Sequence, residues 1–152
     1  MAVRPAAPRV NVNQTGADQI ARRASLSGFA PIGVGIDMVD IERFGALLER
    51  RGSARRRLFA PEELAYTDTL ANPVPSLAAR FAAKEATMKA LGVGLGSFDW
   101  TDVAVWRNPG GAPSLIVRGR AAELADKAGV VSWLVSLTHT DSVAAATVVA
   151  CA

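Results

Sequence analysis

The sequence predicts an α+β domain in which an antiparallel sheet packs on one long helix, and three observations predict it. The sixteen residues between Pro75 and Gly92 are rich in Ala, Leu, Lys and Met and hold no Gly or Pro, so they read as a four-turn helix. NPGGAP at Asn108–Pro113 is a turn between two alternating stretches, Asp102–Trp106 and Ser114–Arg118. A second hairpin joins Ser132–Thr138 to Val143–Ala150 across His139–Ser142. Short hairpin connections imply antiparallel pairing, and helices in two blocks on one face give an α+β arrangement.

In chain order, residues 1–30 carry scattered Pro, Asn, Gln, Gly and Ser with little periodicity and are expected to form a mobile extension before a domain at 31–152. Arg22-Arg23 ahead of an apolar stretch is a weak export pattern that Asp37 interrupts, and no small-residue cleavage site follows; an Arg-rich transit segment stays open. Ile32–Ile41 is apolar and β-branched, alternating at Val34, Ile36 and Met38, and reads as a strand with Asp37 in its middle. Asp40 then starts a helix that runs through Ile41, Phe44, Leu47 and Leu48 to Gly52. Ala60-Pro61-Glu62-Glu63 opens a short helix, with proline near its first position and acids in its first turn. Gly119–Ala128 is a helix closed by Gly129.

Half the residues are apolar, enough for one domain with a real core, yet no apolar run approaches the ~20 residues that cross a bilayer. One cysteine, Cys151, and one histidine, His139, exclude a disulfide framework and a multi-histidine or thiolate metal site, which suits a cytoplasmic setting. The net charge of +3 resides in residues 1–30, which hold Arg4, Arg9, Arg22 and Arg23 against Asp18. Within the remainder, Arg43, Arg50, Arg51, Arg55, Arg56 and Arg57 crowd together opposed chiefly by Glu49. That patch fits an acidic partner or nucleic acid, or else a solvated face; for nucleic acid only Phe44 and Phe59 offer stacking positions beside it.

On the helix after Pro75, steps of 100° put Leu77, Phe81, Met88 and Leu91 on one apolar stripe that also holds Lys84, with Glu85 at its flank. Charges at core positions need a partner or a ligand. Arg80 and Lys84 are spaced i, i+4, as are Glu85 and Lys89, so three cations and a carboxylate share neighbouring edges of the helix. Asp37 and Glu85, each embedded in an apolar element, fit a hard divalent cation such as Mg²⁺ completed by phosphate oxygens and water, with Arg80, Lys84 and Lys89 as phosphate-binding cations. Ion pairs inside the core are the other reading. Gly92 caps the helix, while Gly94 and Gly96 leave room for a ligand near Lys89; a cap alone would explain Gly92 equally well. His139 and Thr140 at a strand end suit a phosphate or ribose contact or a plain turn. No Walker motif, dinucleotide fingerprint or serine-hydrolase elbow is present.

Three stretches, GVGIDMVDIERF, SLAARFAAKEATMKALGVGLG and VSLTHTDSVAAATVV, resemble in sequence, order and separation the holo-acyl-carrier-protein synthase family of 4′-phosphopantetheinyl transferases, over about Ile32 to Ala150. The resemblance implies a phosphopantetheinyl-transferase-like fold assembling as a trimer. It also implies transfer of the phosphopantetheine arm of coenzyme A to a serine of an apo acyl carrier protein, with release of 3′,5′-ADP. Asp37 and Glu85 fall on the family's magnesium-binding acids and Lys89 on the lysine near the pyrophosphate. Arg80, Lys84 and the turn at Gly92 and Gly94 fall on positions lining coenzyme A, and His139 with Thr140 on the motif that meets the coenzyme from the neighbouring subunit. Arg43 matches an arginine beside the carrier surface, and Arg50, Arg51 and Arg55 lie where an acidic carrier helix would dock. Thr138, Met88 and Val93 differ from residues frequent in the family. The serine proton is left to Glu85 or to a magnesium-bound water, and the carrier to fatty-acid or polyketide synthesis. No membrane or nucleic acid is implied. A non-catalytic carrier-binding or nucleic-acid-binding module using the arginine patch is the alternative.

Overall fold

The first strand packs its glycines against a helix backbone, and that contact positions everything else. The computed structural model describes residues 30–152, so the expected extension, apart from Ala30, lies outside the described residues. Strand β1 (Pro31–Asp40) leads into helix α1 (Ile41–Arg50), whose N-cap Asp40 accepts a hydrogen bond from the Arg43 amide at 2.8 Å. The arginine-rich run forms a short helix, α2 (Ala54–Leu58), for which no apolar period argues. Helix α3 (Pro61–Thr67) follows, then the 17-residue α4 (Val74–Ala90). Pro75 lies in the first turn of α4, where its missing amide donor removes no helical bond. A 3₁₀ turn (Trp100–Asp102), β2 (Val103–Arg107), β3 (Pro113–Val117), α5 (Gly119–Lys127), β4 (Ser132–His139) and β5 (Val143–Cys151) complete the described chain.

The strands form two antiparallel sheets rather than the single expected one, in orders β1-β5-β4 and β2-β3. Asp37 pairs with Ala146, and Leu137 pairs with the same residue from the other side. Helix α4 packs on β1 and β5. Ala82, Ala83, Ala86 and Ala90 of the helix, with Ala146, Val148 and Ala150 of β5, form the buried seam, which the apolar-stripe reading had missed because it counted only large side chains. Phe44, Phe81 and Trp100 stack in a row at one end of α4, with ring centroids 5.1 and 4.9 Å apart.

A Cβ on Gly33 would lie 2.0 Å from the Ala90 carbonyl oxygen, and one on Gly35 only 1.9 Å from that of Ala86. Both glycines therefore let strand and helix meet backbone to backbone. The alternation of β1 consequently runs opposite to the ordinary reading. Val34, Ile36 and Met38 point away from α4 and are 67%, 60% and 66% exposed, while Asp37 shares the inward face with the glycines. Among the described residues no helix is long and apolar enough to cross a membrane.

Candidate active site

Because side chains alternate along β1, Asp37 follows Gly33 and Gly35 onto the face that meets α4. There the Lys89 ammonium donates to Asp37 Oδ1 at 2.8 Å and to the Ile36 carbonyl at 2.9 Å. The two side chains differ in setting: Lys89 is 54% exposed and Asp37 only 12%. The second oxygen, Asp37 Oδ2, is buried and accepts no hydrogen bond while Glu85 is ionised. Glu85, one turn before Lys89, lies against the same carboxylate. Burial first, then Asp37 as hydrogen-bond partner and as negative charge, pushes the Glu85 carboxyl up to about 7, and Lys89 only partly opposes this. The hydrogen bond and charge of Asp37 hold the Lys89 ammonium above its ordinary range. The two acids, 48 residues apart in the sequence, thus converge, and Lys89 pairs with Asp37 across the seam rather than with Glu85 along its own helix.

Two facing carboxyls, one with an unpartnered buried oxygen and one inclined to keep its proton, fit a single hard divalent cation that supplies the charge they lack. Among the described residues no group of three or more His, Cys, Asp or Glu converges, so water and phosphate oxygens would complete the coordination. A pH dependence follows. The folded-state value of Glu85 lies above its unfolded value, so its stabilising effect without metal is full below about pH 4.5 and is lost as pH rises through about 7. The metal-free protein is expected to lose melting temperature over that window while Glu85→Gln does not. A divalent cation held here would have to displace the same proton, so its apparent affinity by calorimetry is expected to rise with pH and level off above about 7.

Beyond Lys89 the helix ends in a Schellman arrangement. Val93 N–H donates to the Met88 carbonyl and Gly92 N–H to that of Lys89, both at 3.0 Å, with Gly92 at φ +66°. Nothing lies within 4 Å of where a Cβ on Gly92 or Gly94 would stand, so this turn presents open backbone beginning three residues after Lys89.

Arg80 lies five residues before Glu85, about 140° round the helix, and faces elsewhere. It lines a cleft of about 390 Å³ together with Tyr66, Arg107, Pro113 and His139. Its guanidinium carbon sits 4.6 Å from the Tyr66 ring centroid, and Nη1 donates to the Ser76 carbonyl and hydroxyl. His139 is exposed at the end of β4, with Nδ1 3.2 Å from the Thr140 carbonyl. The Thr140 hydroxyl oxygen accepts from the Val143 amide at 3.1 Å and serves the hairpin turn.

Lys84 departs from the expectation that it lines the coenzyme. It is fully enclosed, and its ammonium donates to Glu63 Oε2 at 2.7 Å, to the Trp100 carbonyl at 2.9 Å and to the Val103 carbonyl. All three of its protons are spent inside the protein, which leaves none for a ligand. Desolvation holds the ammonium below its ordinary range despite the Glu63 charge. Glu63 in turn accepts from the Ala60 amide and, through Oε1, from the Val105 amide, both at 3.0 Å. From residue order Glu63 is only a first-turn acid. The clue was Lys84 itself, a cation at a core position that required a partner.

Of the arginine patch, Arg43, Arg50 and Arg51 are exposed on and beside α1, whereas Arg55 is half-buried and paired with Asp68. Arg51 and Arg57 edge an apolar pocket of about 280 Å³ formed by Phe44, Leu47, Phe81 and Trp100. Phe44 and Phe59, the only aromatic positions a base-stacking surface had available here, are both in the core.

The family model described as the 4′-phosphopantetheinyl transferase superfamily matches residues 33–148. The holo-[acyl-carrier-protein] synthase of Streptomyces coelicolor is 51% identical over 119 residues, 78% of this chain and 96% of that protein. The chain belongs to the holo-[acyl-carrier-protein] synthase family of 4′-phosphopantetheinyl transferases. As a member of that transferase family it is an enzyme. Its fold is shared with the crystal structure of the holo-[acyl-carrier-protein] synthase from Neisseria meningitidis, at TM-score 0.73 and 30% identity, covering 80% of this chain and 98% of that one. The Helicobacter pylori synthase in complex with coenzyme A is also similar, at TM-score 0.68 and 30% identity, covering 77% of this chain and 98% of that one.

Proposed function

We propose that this phosphopantetheinyl transferase moves the 4′-phosphopantetheine arm of coenzyme A to a serine of an apo acyl carrier protein, with Mg²⁺, and releases 3′,5′-ADP. The observation that carries the reading is the meeting of Asp37 and Glu85 beside Lys89, with a buried carboxylate oxygen left without a partner. Kinship with proteins named for this activity, one of them solved with coenzyme A, supports the substrate pair.

The serine hydroxyl attacks the phosphorus bearing the pantetheine arm. A serine–phosphorus bond forms, the bond to the bridging diphosphate oxygen breaks, and the nucleotide departs with that oxygen. The carrier supplies the nucleophile, so the chain needs no nucleophile–base pair of its own. Asp37 and Glu85 would hold the magnesium, which when bound withdraws charge from the diphosphate. Lys89 stabilises the same oxygens, with its neighbouring turn at Gly92 and Gly94 offering backbone to the coenzyme. Glu85, or a water beside it, takes the hydroxyl proton.

An acidic carrier helix docks at Arg43, Arg50 and Arg51, with the pocket between Arg51 and Arg57 receiving one apolar side chain. Arg55, already paired with Asp68, contributes by exchanging partners. We further propose a homotrimer with active sites between subunits, in which the His139 cleft of one copy faces the carboxylates of the next. Two observations support it: the exposed apolar row Val34, Ile36 and Met38, and a cleft whose lining in one chain omits Asp37, Glu85 and Lys89. The carrier belongs to fatty-acid or polyketide synthesis, and the reaction takes place in the cytoplasm.

Incubation with coenzyme A, Mg²⁺ and a panel of apo carriers, followed by mass spectrometry, is expected to show one phosphopantetheine added to a carrier. No gain with any carrier rejects the transferase reading. Native mass spectrometry of the same preparation is expected to find three copies, and a monomer rejects the trimer.

A further inference from the structure

Lys89 belongs to α4 but spends its ammonium on β1. Its Nζ donates to Asp37 Oδ1 at 2.8 Å and to the Ile36 carbonyl at 2.9 Å, so two successive residues of the strand seat it. Glu85, one turn earlier on the same helix, is near enough for each of the two to feel the other's charge. One cation therefore answers both carboxyls of the candidate metal site.

A divalent cation held by Asp37 and Glu85 has to share that corner with a resident positive charge. Repulsion at such range is several times stronger in a partly buried corner than in bulk water. Asp37 is mostly buried, so its charge is answered by the ammonium more than by solvent. Lys89 is differently placed: its side chain is more than half exposed and its four-carbon stem is flexible, which leaves the ammonium free to turn toward an anion. The open backbone at Gly92 and Gly94 leaves space for that anion close by.

We infer that Lys89 is a resident counter-ion that weakens cation binding at Asp37 and Glu85 until a diphosphate draws the ammonium off. Metal and coenzyme then bind with positive coupling carried by this one side chain, and the cation is taken up with the coenzyme rather than ahead of it. The effect on the cation needs only the arrangement of the three side chains. Naming the anion as the coenzyme's diphosphate rests on the transferase reading.

Calorimetric titration of the full chain with Mg²⁺ at about pH 8, where Glu85 is largely ionised, tests the first part without coenzyme or carrier. Lys89→Gln is expected to bind Mg²⁺ at least about fivefold more tightly than the wild type, and Lys89→Arg, which keeps the charge, to stay within about twofold of it. Repeated with saturating coenzyme A, the titration is expected to tighten the wild type and to shrink the advantage of Lys89→Gln to about twofold or less. Thermal melts check that both variants are folded, as the exposure of Lys89 predicts. The inference is overturned if Lys89→Gln binds Mg²⁺ no more tightly than the wild type, or if Lys89→Arg gains as much as Lys89→Gln. An advantage that bound coenzyme A leaves unchanged overturns it as well. A protein that binds no coenzyme A and modifies no carrier, yet shows the Mg²⁺ gain of Lys89→Gln alone, supports the counter-ion role and defeats only the transferase reading. A protein that modifies a carrier while Lys89→Gln gains nothing does the reverse.

Discussion

Asp37→Asn and Glu85→Gln are each expected to lower kcat/KM for carrier modification by about 10²–10³-fold, the scale on which a preorganised electrostatic group contributes to a transition state. The fold should survive. Lys89, the partner that Asp37→Asn abandons, is more than half exposed, so water replaces the lost pair, which at such a site contributes ~1 kcal/mol or less. Glu85→Gln removes a carboxyl whose raised value of about 7 leaves it about half-protonated at pH 7, and so disturbs the apo protein little. Both variants should need far more Mg²⁺ to reach their residual rate, which a metal titration of the mass-shift assay reads directly. Rates within tenfold of wild type for both would show that these acids merely pair within the seam.

Lys84→Met is expected to destabilise the fold by ~3–5 kcal/mol, the usual loss when one member of a buried ion pair is removed. Its removal leaves the Glu63 carboxylate enclosed without a counter-charge and two carbonyls, of Trp100 and Val103, without their donor. Urea denaturation measures this. The double variant Glu63→Gln, Lys84→Met should recover part of the loss, because no buried charge is then stranded. If Lys84 instead contacted the coenzyme, the single variant would keep its urea midpoint and raise KM.

The course of α4, both hairpins and the Asp40 cap were legible from residue order because each leaves a local mark, a period, a turn dipeptide or a capping acid; Asp37 and Glu85 stood out as charges among apolar neighbours, but residue order alone left open what each of them meets. Glu63 left only an ambiguous mark, since an acid in a first helical turn satisfies the helix dipole whether or not it also reaches a lysine 21 positions away. Lys84 was misread for the complementary reason: its spacing from Arg80 suggested a shared ligand, while its three acceptors come from elements that only the tertiary fold assembles. Tyr66 and Arg107 lie 41 residues apart and meet through a tertiary hydrogen bond, which has no sequence period. Strand β1 misled most directly. Alternation identifies two faces but not which one is inward, and here the glycine face is inward because a helix backbone occupies the space that side chains would fill.

That tight contact of Gly33 and Gly35 on Ala86 and Ala90 has an evolutionary corollary. Neither glycine has a side chain to trim, so every change at Gly33 or Gly35 adds bulk and pries strand and helix apart, and these two positions have almost no neutral neighbours in sequence space. On the proposed function, diversification in the choice of carrier is therefore channelled to the exposed surface around Arg51, where atoms can be gained or shed without moving the centre.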